Sequence, residues 1–172
     1  MKLSDVNPEE FSNNNGGYIS KLPQDLELIK SFEDDYNTIL ELFQSIPLNK
    51  WDYKYAPEKW SLKELFQHMI DTERIFIYRC FRIARHDKTP LIGFEQDDYI
   101  LPSEANKKSV DALREEFEAV RKNSLVLLKS LNDINLKFMG IVNRNPISAR
   151  AAAFNIIGHN AWHIRLIYER YL

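Results

Sequence analysis

The run WSLKELFQHMIDTERIFIYRCFRIAR at residues 60–85 decides the fold, because it carries both the start of a helix and the face that helix buries. Ser61 can accept from the backbone of Glu64 while the Glu64 side chain reaches back, and Trp60 can staple onto Leu65. A helix therefore opens at Ser61. Its apolar stripe of Leu65, Met69, Phe76, Cys80 and Ile83 runs to about Arg85. Three more segments share that period. Leu26, Ile29, Tyr36, Leu40 and Phe43 predict a first helix over 23–45, with Pro23 in its first turn and Pro47 just beyond its end. Val110, Leu113, Phe117, Val120, Leu127 and Leu131 predict the third, and residues 149–171, behind Pro146 and Ser148, the fourth.

The composition agrees. The chain has 172 residues, 44% apolar and 28% charged, with only 5 Gly, and few glycines mean few tight turns. The expected fold is all-α, a four-helix bundle over 21–172 behind an N-terminal arm at 1–20. Apart from Asn13-Asn14-Asn15-Gly16-Gly17, no low-complexity stretch or internal repeat is evident. Between His86 and Lys108 lies a connection with Pro90, Gly93 and Pro102, far longer than a helical hairpin needs. It is expected to cross over the bundle, leaving the second and third helices parallel and the fourth antiparallel to the second. A chain of this size buries a core without metal or disulfide staples, so any metal would serve function rather than folding.

Several functions are set aside by charge and by residue usage. With 23 Lys and Arg against 25 Asp and Glu, the net charge of -2 is interleaved and unsuited to nucleic acid. No apolar run approaches bilayer length, so no membrane partner is expected. Cys80 is the single cysteine, which excludes an intrachain disulfide and a Cys-based zinc site; a soluble, cytoplasmic, reducing setting is the simplest expectation.

The histidines are more specific. His159 and His163 stand four residues apart on the fourth helix, on a face with Ala152, Ile156, Leu166 and Ile167, so they point into the bundle. Such a pair is either a hydrogen-bonded core pair or two ligands of one ion. His68 falls on the inward side of the second helix beside Leu65, Thr72 and Ile75. At 1.5 Å per residue it lies roughly 9 Å from the start of its helix, against roughly 12 and 18 Å for His163 and His159 from the end of theirs. An antiparallel arrangement lets these heights meet. Three imidazoles with no fourth protein ligand leave a coordination position open, as in catalytic zinc sites. No Glu follows His159 as in zincin proteases, and no Glu-x-x-His pair supports a di-iron site. His86 lacks the apolar context and is expected in solvent.

Two stretches carry a resemblance: Tyr55-Ala56-Pro57-Glu58-Lys59-Trp60-Ser61-Leu62-Lys63-Glu64-Leu65-Phe66-Gln67-His68 with Asp71-Thr72-Glu73, and Gly158-His159-x-x-x-His163. With Arg82-Ile83-Ala84, Thr89-Pro90-Leu91 and Phe94-Glu95-Gln96-Asp97 between them, residues 17–172 resemble the DinB/YfiT-like metalloenzyme family of the DinB superfamily. The resemblance implies a bundle crossed by one loop and a divalent ion, zinc or nickel, on His68, His159 and His163. It also implies transfer of a low-molecular-weight thiol, such as bacillithiol or mycothiol, to an electrophile, thiol-dependent isomerisation, or metal-dependent hydrolysis.

The expected chemistry is therefore S-transfer, with metal coordination lowering the thiol's pKa, so that the protein needs no catalytic cysteine and Cys80 is a core residue. The alternatives are a hydrolase that activates water at the same site, with Glu73, Glu95, Asp97 and Asp98 as candidate acids, and a non-catalytic helical binding protein. Arg79 is a candidate for a thiol's carboxylate or for a salt bridge. Trp51, Tyr53 and Tyr55 are expected to cover a bundle end or to serve an interface, and a homodimer is consistent with so small a bundle.

Overall fold

The capping box at Ser61 forms as its sequence requires: the Ser61 hydroxyl accepts from the Glu64 amide at 3.1 Å and the Ser61 amide donates to Glu64 Oε2 at 2.7 Å. In a computed structural model, described over residues 1–11 and 17–172, it opens the second of four long helices. The helices are α1 (Leu28–Ser45), α2 (Leu62–Ala84), the short α3 (Asp97–Ser103), α4 (Val110–Ser130), the single-turn α5 (Asp133–Leu136) and α6 (Ala149–Arg170). Ser109 and Ser148 cap α4 and α6 by accepting from Ala112 and Ala151. Of the asparagine-rich run at 13–17, all but Gly17 lies outside the described residues.

Side-chain contacts fix the directions. Gln67 bonds Glu116 and Glu73 bonds Arg121, each step along α2 matching a step along α4, so these two helices are parallel. Phe43 packs on Phe66 while Arg121 joins Phe32 and Asp35 to Glu73, further along α2, which sets α1 antiparallel to α2. His68 meets His163 while Phe76, two turns on, faces His159, and Tyr171 donates to the Trp60 carbonyl; α6 is antiparallel to α2. The long connection makes the parallel pair possible, with α3 lying within it.

Two features depart from the sequence reading. The first helix begins at Leu28, not Pro23: the Leu3 and Ser4 amides donate to the carbonyls of Leu26 and Gln24 at 2.8 Å, and the Leu28 amide donates to the Met1 carbonyl. These backbone groups are committed to the N-terminal segment, so residues 24–27 stay out of the helix. Leu3, Val6 and Ile19 are correspondingly buried in the core, and Arg150 pairs with Glu10. The second departure is a small antiparallel hairpin, β1 (Met139–Val142) and β2 (Asn145–Ser148), in an otherwise helical chain. Phe11 bridges to Ile147 on one side and Leu91 to Val142 on the other, so the hairpin ties the N-terminus and the crossover to the same end of the bundle.

Trp51 stacks on Phe43 and packs on Phe66, while Tyr53 and Tyr55 meet the edge of Tyr171, closing the opposite end. Cys80 is fully buried in the core, where desolvation pushes its thiol up to about 12. No helix among the described residues is long and apolar enough to cross a membrane.

Candidate metal centre

The antiparallel packing of α2 on α6 brings the three predicted histidines together. His68 comes from the second turn of α2, His159 and His163 from successive turns of α6, and all three are buried. The Nε2 atom of His159 lies 2.9 Å from Nε2 of His68 and 2.9 Å from Nε2 of His163. One donor atom from each ring falls within 4.8 Å of the other two.

Hydrogen bonding alone does not satisfy this geometry. A neutral imidazole nitrogen carries either one hydrogen or one lone pair, so His159 Nε2 can bond one neighbour as donor or as acceptor but not both. Protonation is opposed as well. Burial lowers His68 to about 4; burial and the His68 charge lower His159 to about 3; burial and both neighbouring rings hold His163 far below the ordinary imidazole value. Three lone pairs can be aimed at one point only if a cation occupies it. Ligands bonded at 2.0–2.1 Å in tetrahedral geometry stand about 3.3 Å apart, so small ring movements suffice to admit an ion. The donor set thus suits a divalent cation, with coordination positions left over. His163 Nδ1 is buried without a partner, whereas metal-binding histidines ordinarily donate from that nitrogen.

Aromatic rings surround the cluster. Trp60 packs on His68 at 4.7 Å, Trp162 on His163 at 4.6 Å, and Tyr18 meets His159 edge-on at 5.4 Å. Tyr18 can come so close because position 158 is glycine: a Cβ there would stand 2.8 Å from the Tyr18 backbone. Two cavities flank the cluster and share Tyr18 and Gln96 as walls. One, of about 260 Å³, reaches His159 and is lined by Thr72, Phe76, Arg79 and Asn155. The other, of about 300 Å³, reaches His163 and is lined by Tyr55, Trp60 and Trp162. The crossover contributes Gly93–Gln96 and the hairpin Val142 and Asn143, segments in which the sequence offers no ligand motif.

The other sequence candidates separate. Glu73 lines neither of these cavities: it is buried and held by Arg121 through both carboxylate oxygens at 2.8–3.2 Å, which removes it as a general acid or base. Glu95 lines the first cavity and Asp97 the second, while Asp98 is exposed and lines neither. Arg79 lines the first cavity and forms no ion pair among the described residues. His86 is exposed, bonded to Asn135 and stacked on Phe138. Asn155 escaped the sequence reading; the available signal was a polar residue four before His159 on an otherwise apolar face.

Comparison with known proteins gives matches of three kinds. The DinB superfamily profile covers residues 31–167. The alanine–anticapsin ligase of Bacillus subtilis (strain 168) is 31% identical over 145 residues, which take in 73% of this chain and 29% of the ligase. The chain thus spans less than a third of that relative. Among solved structures, YfiT from Bacillus subtilis, described as a probable metal-dependent hydrolase with an unusual four-helix bundle topology, superposes with a TM-score of 0.73 at 16% identity. The match covers 87% of this chain and 90% of YfiT, and at that identity the likeness is one of fold.

Proposed function

This chain belongs to the DinB superfamily, and from that premise we propose that it is a metal-dependent enzyme holding a divalent ion, zinc or nickel, on His68, His159 and His163 and transferring a small thiol to an electrophile. The convergence of three neutral Nε2 atoms carries the reading. When bound, the ion supplies Lewis acidity that lowers the pKa of a thiol or a water in its open position. The chain's own residues supply the surroundings. Trp60, Trp162 and Tyr18 shield the cluster from bulk water, and the two cavities give separate places for two reactants. In the net reaction RS–H and R′–X become RS–R′, with X⁻ and a proton released; Glu95 and Asp97 are carboxylates in the cavity walls that suit proton acceptance. Cys80, buried and protonated, takes no part, so the reacting sulfur arrives with the substrate, in keeping with a reducing cytoplasm.

The second reading is hydrolysis at the same site, favoured by the fold shared with YfiT. There Glu95 or Asp97 would act as the general base toward water.

Metal analysis of protein purified without a chelating tag should give one divalent ion per chain. Full occupancy in a His68→Ala, His163→Ala double variant overturns the ligand assignment. Incubation with a fluorogenic electrophile and a panel of thiols should give turnover above the metal-free control; no such rate with any thiol, alongside ester or amide cleavage, favours hydrolysis.

A further inference from the structure

Beyond the histidines, the first cavity holds polar groups whose presence the fold does not explain. Arg79 sits on α2 between the rings of Phe76 and Phe94, with its guanidinium carbon 5.3 and 5.5 Å from their centroids. Its only hydrogen bond among the described residues is to the Ile92 carbonyl at 3.2 Å. The other arginines on α2, Arg74 and Arg82, have carboxylate partners, and the buried Arg121 has two. Arg79 is half-buried with none, and burial lowers its pKa because the charge is poorly solvated. Two further residues lining the same cavity each carry a buried polar atom without a partner, Thr72 Oγ1 and Asn155 Oδ1, and the residues are only 2% and 4% exposed. An unsatisfied buried hydroxyl and amide each carry a desolvation cost that a ligand would relieve. One cavity therefore contains a cation that is not ion-paired, a hydroxyl that can donate, and an amide that can present either its NH2 or its carbonyl.

We propose that Arg79, Thr72 and Asn155 form a carboxylate-binding subsite, and that the substrate is a small molecule with a carboxylate at the end opposite the group it presents to the histidines. The planar guanidinium matches a carboxylate bidentately, which favours this anion. The spacing is set by Phe76, whose ring lies 5.3 Å from the Arg79 guanidinium and 6.3 Å from the His159 ring. The two ends of the subsite are thus no farther apart than those two steps together, the reach of a short chain of several bonds. Glu95 also lines this cavity but is exposed, so water screens its repulsion. This inference names the substrate class of the proposed metal site and rests on that reading for the group presented to the histidines.

Two titrations separate them. In metal-free protein, glutarate should bind measurably by calorimetry and at least about tenfold more tightly than uncharged glutaramide. Arg79→Met should abolish the preference, Arg79→Lys should retain part of it, and Thr72→Val should weaken it. In cobalt-loaded protein, followed by the thiolate-to-cobalt absorption band, 4-mercaptobutanoate should bind about tenfold more tightly than 4-mercaptobutanamide, and Arg79→Met should equalise them without abolishing the band. If glutarate shows its preference but no thiol produces the band, the subsite stands and the thiol reading falls. If both thiols produce the band with equal affinity and glutarate shows no preference, the subsite is overturned while the metal site stands. A preference unchanged in Arg79→Met also overturns it.

Discussion

At the scale of single residues, the site depends on imidazoles kept neutral by burial, and this has a cost that depends on pH. His68 at about 4 and His159 at about 3 are folded-state values below the 6.5 of an exposed imidazole. Between those limits the unfolded chain binds protons that the folded chain refuses, so stability rises with pH there. Metal-free protein should accordingly lose stability as pH falls from 6.5 toward 4, read as a falling Tm in thermal melts at stepped pH. Replacing His159 with Leu should flatten that slope; an unchanged slope would assign it to other groups. For the loaded protein the same shifts work in favour of the ion, since protons compete poorly for the lone pairs of buried, neutral imidazoles. Occupancy should fall as acid protonates the three ligands, at a lower pH the more tightly the ion is held, as followed by release to a coloured chelator. A release midpoint that does not move to higher pH when the free-metal concentration is lowered would contradict histidine ligation.

At the scale of elements, close approach of the residue 17–21 turn to α6 is what places Tyr18 over His159, and Gly158 permits it. Gly158→Ala should gain about 1 kcal/mol of helix propensity and lose more to the clash with the Tyr18 backbone, a net destabilisation of about 1–2 kcal/mol in urea titration. Gly17→Ala, with nothing within 4 Å of its added Cβ, should be close to neutral. A neutral Gly158→Ala would mean that the Tyr18 turn is not held against α6. The four long helices were legible because each repeats its apolar residues at the helical period, with Ser61 and Ser148 marking the starts of two; the cap that Ser109 forms on α4 was not needed to see that helix. The histidine cluster followed from their direction and height. The hairpin was not legible: its strands have only four residues each, and its turn is Asn143-Arg144, both at positive φ, without the glycine that signals such a turn. Nor was the late start of α1, since the carbonyls of Gln24 and Leu26 are claimed by residues 3 and 4, a pairing that no local window contains. Both cavity walls depend on such non-local contacts, which is why Arg79 was visible as a candidate and its lack of an acid partner was not.

At the scale of the whole molecule, one buried network links all four long helices. Arg121 of α4, fully buried, donates to the Phe32 carbonyl and Asp35 of α1 at 2.9 and 2.7 Å and to Glu73 of α2 at 2.8 Å, while Asn160 of α6 donates to Asp35 at 2.8 Å. A slide of any helix by one turn breaks a bond in it, so the network favours the register in which α2 and α4 are parallel. Asn160 is also the neighbour of His159, so the roll of α6 that aims the imidazole is fixed partly by Asp35. Removing Arg121 alone leaves two carboxylates buried without their cation, and Arg121→Met should cost about 3–5 kcal/mol, with Tm lower by on the order of 10 °C. An apolar replacement of the whole set, Arg121→Met with Glu73→Leu and Asp35→Leu, removes the unpaired charges and should recover most of that loss. If the network serves mainly to set register and roll, the recovered triple variant should still bind the divalent ion at least about tenfold more weakly than the parent, because stability returns through packing while Asn160 has lost its acceptor. Equal affinity in the triple variant would assign the network to stability alone and leave the aim of His159 to the aromatic rings around it.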